Sequence, residues 1–126
     1  MLGNADLIAF VPTRDFKPSR RFYEDTLGLE FVSEDSFALV FRANGVMLRI
    51  VNVSATADFR PAPFTILGWN VASAESAVLE LGKKGIAFER FPGMQQNTLG
   101  IWRSPGGAQV AWFKDPDGNV LSITEI

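Results

Sequence analysis

The sequence predicts an α+β fold: two βαβββ modules forming a cupped eight-stranded mixed sheet, with the helices on its outer face. Three observations carry this expectation. An apolar strand running straight into a helix start occurs twice, as Leu7-Ile8-Ala9-Phe10-Val11-Pro12 and as Leu67-Gly68-Trp69-Asn70-Val71-Ala72. Each copy continues into a helical stretch closed by a glycine, Gly28 or Gly85, suited to a left-handed stop. Each then breaks into short β-rich runs separated by Asn44-Gly45, Gly106-Gly107 or Asp115-Pro116-Asp117-Gly118, residues that favour tight turns.

Taken in order, Asp15 and Pro18 open the first helix, which runs over Ser19 to Leu27. Strands are expected at Leu29 to Val32, Phe37 to Arg42 and Val46 to Val53. Residues 54–63, with two prolines among Ala, Thr and Asp, read as a linker. In the second copy Ser73 caps a helix through Leu81 and Lys84, with Glu75 in its first turn. Ile86 to Arg90, Leu99 to Arg103, Ala108 to Phe113 and Asn119 to Ile126 follow as strands. The chain is thus expected to be one domain, with half-modules 1–53 and 64–126 joined by the linker 54–63.

Composition narrows the chemistry. With 126 residues, 47% hydrophobic and 21% charged, a single core is expected without a disulfide or structural metal. Cys and His are both 0, which removes a Cys nucleophile, a His base and any Cys/His zinc site. Twelve basic and 14 acidic residues, a net charge of -2, are scattered without a block of like charge. That excludes the basic stripe of a nucleic-acid binder. Met1 to Asp6 carries no positive leader region and the apolar run stops at Val11, so no signal peptide and no membrane span are expected. The expected location is the cytoplasm.

Two motifs carry a family resemblance. Phe22-Tyr23-Glu24-Asp25-Thr26-Leu27-Gly28-Leu29 and Phe113-Lys114-Asp115-Pro116-Asp117-Gly118-Asn119, in that order within a βαβββ repeat, resemble the vicinal oxygen chelate superfamily. That superfamily includes glyoxalase I, extradiol dioxygenases, fosfomycin-resistance enzymes and bleomycin-binding proteins. The resemblance covers nearly the whole chain and implies the glyoxalase-like fold. It also implies four metal-ligand positions, normally His, Glu or Gln, which fall here on Asp6 or Ile8, on Arg49, on Ile66 and on Ser122. These side chains depart from the pattern chemically. Arg has no lone pair to give a metal and repels it, Ile has no donor, and one carboxylate with a hydroxyl falls short of a coordination shell. Glu125 is placed by strand alternation on the face opposite Ser122. The expectation is therefore a protein with no metal and no cofactor.

Strand parity puts Asp6, Ile8, Phe10, Met47 and Arg49 on the inner face of the first half, and Ile66, Asn70 and Ser122 on that of the second. An apolar concave surface with a few polar points is how small-molecule sites are built. For Arg49 two readings stand side by side: an anchor for an anionic ligand group through paired charge-assisted hydrogen bonds, or an internal ion pair with Asp6. Trp69 reads as core, whereas Trp102 falls at the expected rim, and Phe91 to Gln96 reads as a lid or a surface loop. The leading expectation is a metal-free binder that sequesters a small, partly apolar or anionic ligand as a homodimer, after the manner the resemblance implies for bleomycin-resistance proteins. The alternative is a cofactorless isomerase or lyase acting on a small carbonyl acid, with Arg49 stabilising an enolate and Asp6 as base.

Overall fold

A computed structural model describes residues 1–56 and 58–126; Ala57, inside the expected linker, lies outside the described residues. The chain divides into two compact units, Met1–Arg60 and Pro61–Ile126. The eight strands form two four-stranded mixed sheets, one per unit.

The first unit contains β1 (Ile8–Thr13), α1 (Phe16–Arg20), β2 (Glu30–Glu34), β3 (Ala38–Ala43) and β4 (Val46–Asn52). Its sheet order is β1-β4-β3-β2, with β1 parallel to β4 and the other pairs antiparallel. The turn out of β1 is fixed by buried hydroxyls. The Thr13 and Ser19 Oγ atoms lie 2.6 Å apart, and Asp15 caps α1 by accepting from the Lys17 backbone N–H at 3.1 Å. One regular helix to Leu27 was the expectation; instead Arg21–Thr26 widens into a π-helical turn, seen in the Leu27 N–H donating to the Phe22 carbonyl at 2.9 Å. The wider turn lets Tyr23 bury completely against Phe41, ring centres 6.1 Å apart, while Phe22 packs on its edge at 5.2 Å. The Asn44-Gly45 hairpin has both residues at positive φ, 46° and 83°, which matches the twist of the flanking strands.

The second unit repeats this topology with β5 (Thr65–Asn70), α2 (Ala74–Lys83), β6 (Trp102–Arg103), β7 (Gln109–Lys114) and β8 (Val120–Glu125), in the order β5-β8-β7-β6. Ser73 Oγ caps α2 by accepting from the Ser76 N–H at 3.1 Å, and Glu125 adds a second acceptor to the same end, 2.9 Å from the Ala74 nitrogen. The strand expected at Ile86 to Arg90 is absent, and Leu99 to Arg103 shrinks to β6. Side chains satisfy this backbone in place of a ladder. Gln96 accepts from the Phe91 N–H and donates to the Glu89 and Gly100 carbonyls, Arg90 donates to the Asn97 and Thr98 carbonyls, and Asn97 accepts from the Leu99 and Ile101 N–H groups.

In each unit one sheet face is packed under its helix. Val11, Leu39, Phe41, Leu48 and Ile50 form that layer in the first, and Ala111, Phe113, Leu121 and Ile123 in the second, where Trp69 stacks on Phe113 at 6.4 Å. Trp69, read as core from its size, is half-buried and packs on this covered side. No helix among the described residues is long and apolar enough to cross a membrane.

Candidate functional site

The faces turned away from the helices carry the candidate residues. In the first sheet the register aligns Phe10, Arg49 and Val40 in one row across three strands, and Ile8, Met47 and Arg42 in the next. Four predicted residues, Ile8, Phe10, Met47 and Arg49, therefore share one face. Ile8 and Phe10 stand 49% and 61% exposed there, so two large apolar side chains lie open to solvent beside a half-buried guanidinium. Asp6 precedes β1, outside the ladder, and is exposed. It makes no ion pair with Arg49 among the described residues. The Arg49 charge acts instead on Asp35, whose carboxyl is held below its ordinary value first by the Phe37 N–H at 2.8 Å, then by the Ala38 N–H at 3.0 Å, with Arg49 adding a smaller part.

In the second sheet the corresponding rows are Gly68, Ser122 and Trp112, then Asn70, Thr124, Val110 and Trp102. Asn70, Trp102 and Ser122 thus share a face. Ile66 falls in a bulge between Thr65 and Leu67, where the parity count fails and the ladder gives it no partner. Ser122 is buried at 7% exposure, and its Oγ lies 2.6 Å from where a Cβ on Gly68 would stand, so the missing side chain at 68 makes room for the hydroxyl.

Two residues outside the predicted set complete this surface. The Trp102 and Trp112 rings are 6.1 Å apart and tilted 38°, and Phe91 meets Trp112 edge-on at 5.4 Å. The Trp112 indole N–H donates to Thr65 Oγ1 at 3.0 Å, which fixes the ring's orientation. The signal for Trp112 was present in the sequence: it has the parity opposite to the core residue Phe113 and pairs with Ser122. Phe91 lies in the segment read as a lid or a surface loop, but its contact with Trp112 was not legible, because it depends on the loop knitted by Gln96.

The ligand positions implied by the family resemblance do not fit a divalent metal. Arg49 and Ser122 occupy the two central ones, and among the described residues no three His, Cys, Asp or Glu side chains are grouped to hold an ion. Glu125 is engaged at the N-terminus of α2 on the helix side.

Comparison with known proteins agrees with this architecture. A lactoylglutathione lyase from Agrobacterium tumefaciens is 21% identical, covering 97% of this chain and 93% of its own, with a TM-score of 0.73. TnmS3, an antibiotic binding protein from a Streptomyces species, is 19% identical over 99% and 98% at a TM-score of 0.70. The bleomycin resistance determinant encoded on transposon Tn5 is 18% identical over 97% and 98% at 0.73. At these identities the likeness is one of fold. No curated protein matches the sequence. The profile of the Glyoxalase/Bleomycin resistance protein/Dioxygenase superfamily matches residues 6–123, and the chain belongs to that superfamily.

Proposed function

We propose that the chain is a metal-free binding protein that sequesters a small, partly apolar or anionic ligand on its open sheet faces, acting in the cytoplasm as a homodimer. The observation that carries this reading is the Trp102–Trp112 pair with Phe91 against it, on a sheet face where Ser122 and Asn70 supply polar points. Oriented aromatic faces give large contact area at low entropic cost, and an aromatic pair adds roughly 0.5–1.5 kcal/mol beyond area burial. In the other unit, Arg49 offers a guanidinium with no ion pair of its own among the described residues, beside Phe10 and Met47. A charge-assisted hydrogen bond from it contributes about 1.5–3 kcal/mol, or roughly tenfold to a hundredfold in affinity. TnmS3 and the Tn5 determinant, which share the fold, are an antibiotic binding protein and a bleomycin resistance determinant by name.

The test is tryptophan fluorescence during titration with flat aromatic carboxylates and their matching amides. Trp102→Ala should abolish most of the quenching by either set, and Arg49→Met should weaken the carboxylates alone. Equal affinity of wild type and Arg49→Met for every carboxylate removes the anchor, and unchanged binding by Trp102→Ala removes the aromatic surface. The exposed Ile8 and Phe10 on the edge strand β1 support the homodimer, since burying them in a two-fold contact withdraws apolar surface from water. Light scattering that returns the mass of one chain at all concentrations defeats it. The isomerase or lyase reading gains nothing from the geometry, because Asp6 is exposed and forms no pair with Arg49.

A further inference from the structure

Away from the open faces, the second unit has a shallow groove of about 440 Å³, open to solvent, along the C-terminal half of α2. Its apolar wall is Val78, Ile86, Phe88 and Leu99. Leu79, 48% exposed, forms one rim. Gly82 belongs to the groove's lining, although glycine is among the poorest helix formers, and the space over it is open: a Cβ there would meet nothing within 4 Å. The charges on it have one sign. Lys83 and Arg90 line it and no acidic residue does. Arg90 is a fixed cation, since its two terminal nitrogens each donate to a backbone carbonyl, of Asn97 and of Thr98, at 2.6 Å. Phe88 is anchored from behind by Phe113, ring centres 5.6 Å apart, so the wall is a rigid part of the core.

We propose that this groove is a second binding site, taking a small amphiphilic carboxylate: an acyl anion whose tail lies over Gly82 against the apolar wall and whose head is held by Lys83 beside the Arg90 charge. A free apolar surface with a one-signed rim complements an amphiphile of opposite sign, and a cationic or uncharged amphiphile of equal length lacks the second half of that match. The site is independent of the tryptophan surface and of Arg49.

Titration of ¹⁵N-labelled protein with sodium octanoate below its micellar range tests this, with octylammonium and octanol as controls. Saturable shifts are expected at the amides of Leu79, Gly82, Lys83 and Leu99. Octylammonium should give none of them, and octanol should bind at least tenfold more weakly than octanoate. Gly82→Leu, which fills the groove with a good helix former, should abolish the shifts. Lys83→Glu, a surface change that leaves the core untouched, should weaken octanoate by tenfold or more. The saturation of the shifts at Leu79, Gly82, Lys83 and Leu99 should be the same in Arg49→Met, whatever that variant loses at the first sheet, which separates this site from the proposed anion anchor. The proposal is overturned if no saturable shift occurs, if octylammonium binds equally well, or if the shifts map to Ser122 and Trp112. It is also overturned if both groove variants bind octanoate as wild type does, or if light scattering shows that Gly82→Leu alone loses a self-association of the wild type, which would make a second copy the occupant.

Discussion

Position for position, the row Phe10–Arg49–Val40 of the first unit corresponds to Gly68–Ser122–Trp112 of the second. The outer strand carries a large side chain in one and none in the other, the middle strand a cation or a hydroxyl, and the inner strand a valine or a tryptophan. Each row balances bulk differently over the same backbone pairing. Beneath them the packed faces are more alike, with Phe41 and Phe113 each fully buried at equivalent places in β3 and β7 and each touched by two further aromatic rings. The difference teaches that this topology constrains the covered face tightly and leaves the open face to chemistry.

The strongest way to break that comparison is through the two core rings. Phe41→Ala and Phe113→Ala should each cost about 3–5 kcal/mol in urea unfolding, through lost burial and the cavity left behind. A loss below about 1 kcal/mol for either would show that the two cores are not equivalent.

A smaller effect sharpens the contrast between the helices. Asp15→Ala and Ser73→Ala each remove a cap worth roughly 1 kcal/mol. Glu125 also accepts from the N-terminus of α2, so Ser73→Ala should cost less than Asp15→Ala by thermal unfolding. The reverse order would mean that Glu125 does not support α2.

The smallest effect concerns Asp35. Its carboxyl titrates below the ordinary value in the folded state, chiefly through the Phe37 N–H, so the folded state binds fewer protons there than the unfolded chain. The resulting stability is present above the unfolded value and is lost as pH falls through the folded one. Asp35→Asn should therefore lower stability slightly near pH 7, where the wild type holds this contribution in full, and flatten the profile below about pH 4, where the two proteins converge. An unaltered acid limb would show that the hydrogen bonds at Asp35 are not retained in solution.

What the sequence revealed and what it hid follow the same division. Period-two alternation located Phe10, Met47, Arg49, Asn70 and Ser122 on their faces because ladder pairing forces adjacent residues to opposite sides. Glycines at positive φ marked the stops at Gly28 and Gly85. Parity failed at Ile66, where one extra residue bulges out of β5, and periodicity could not foresee the wide turn at Arg21–Thr26, whose cause is the tertiary contact of Tyr23 with Phe41. The stretch Ile86 to Arg90 has strand composition yet gives one backbone bond to β7, from the Glu89 N–H to the Trp112 carbonyl, because Gln96 and Asn97 meet the loop's backbone needs instead. Side-chain hydrogen bonding across a loop leaves no periodic trace.

That knitted loop has a kinetic consequence. Phe91 reaches Trp112 from a segment whose peptide groups are tied by Gln96, Arg90 and Asn97, so the aromatic surface is assembled before any ligand arrives. A ligand bound as proposed would need no loop closure as a preceding step, so its association would not wait on this segment. Amide protons of Phe91 and Ile101 should exchange with solvent slowly whether or not the tryptophans are covered.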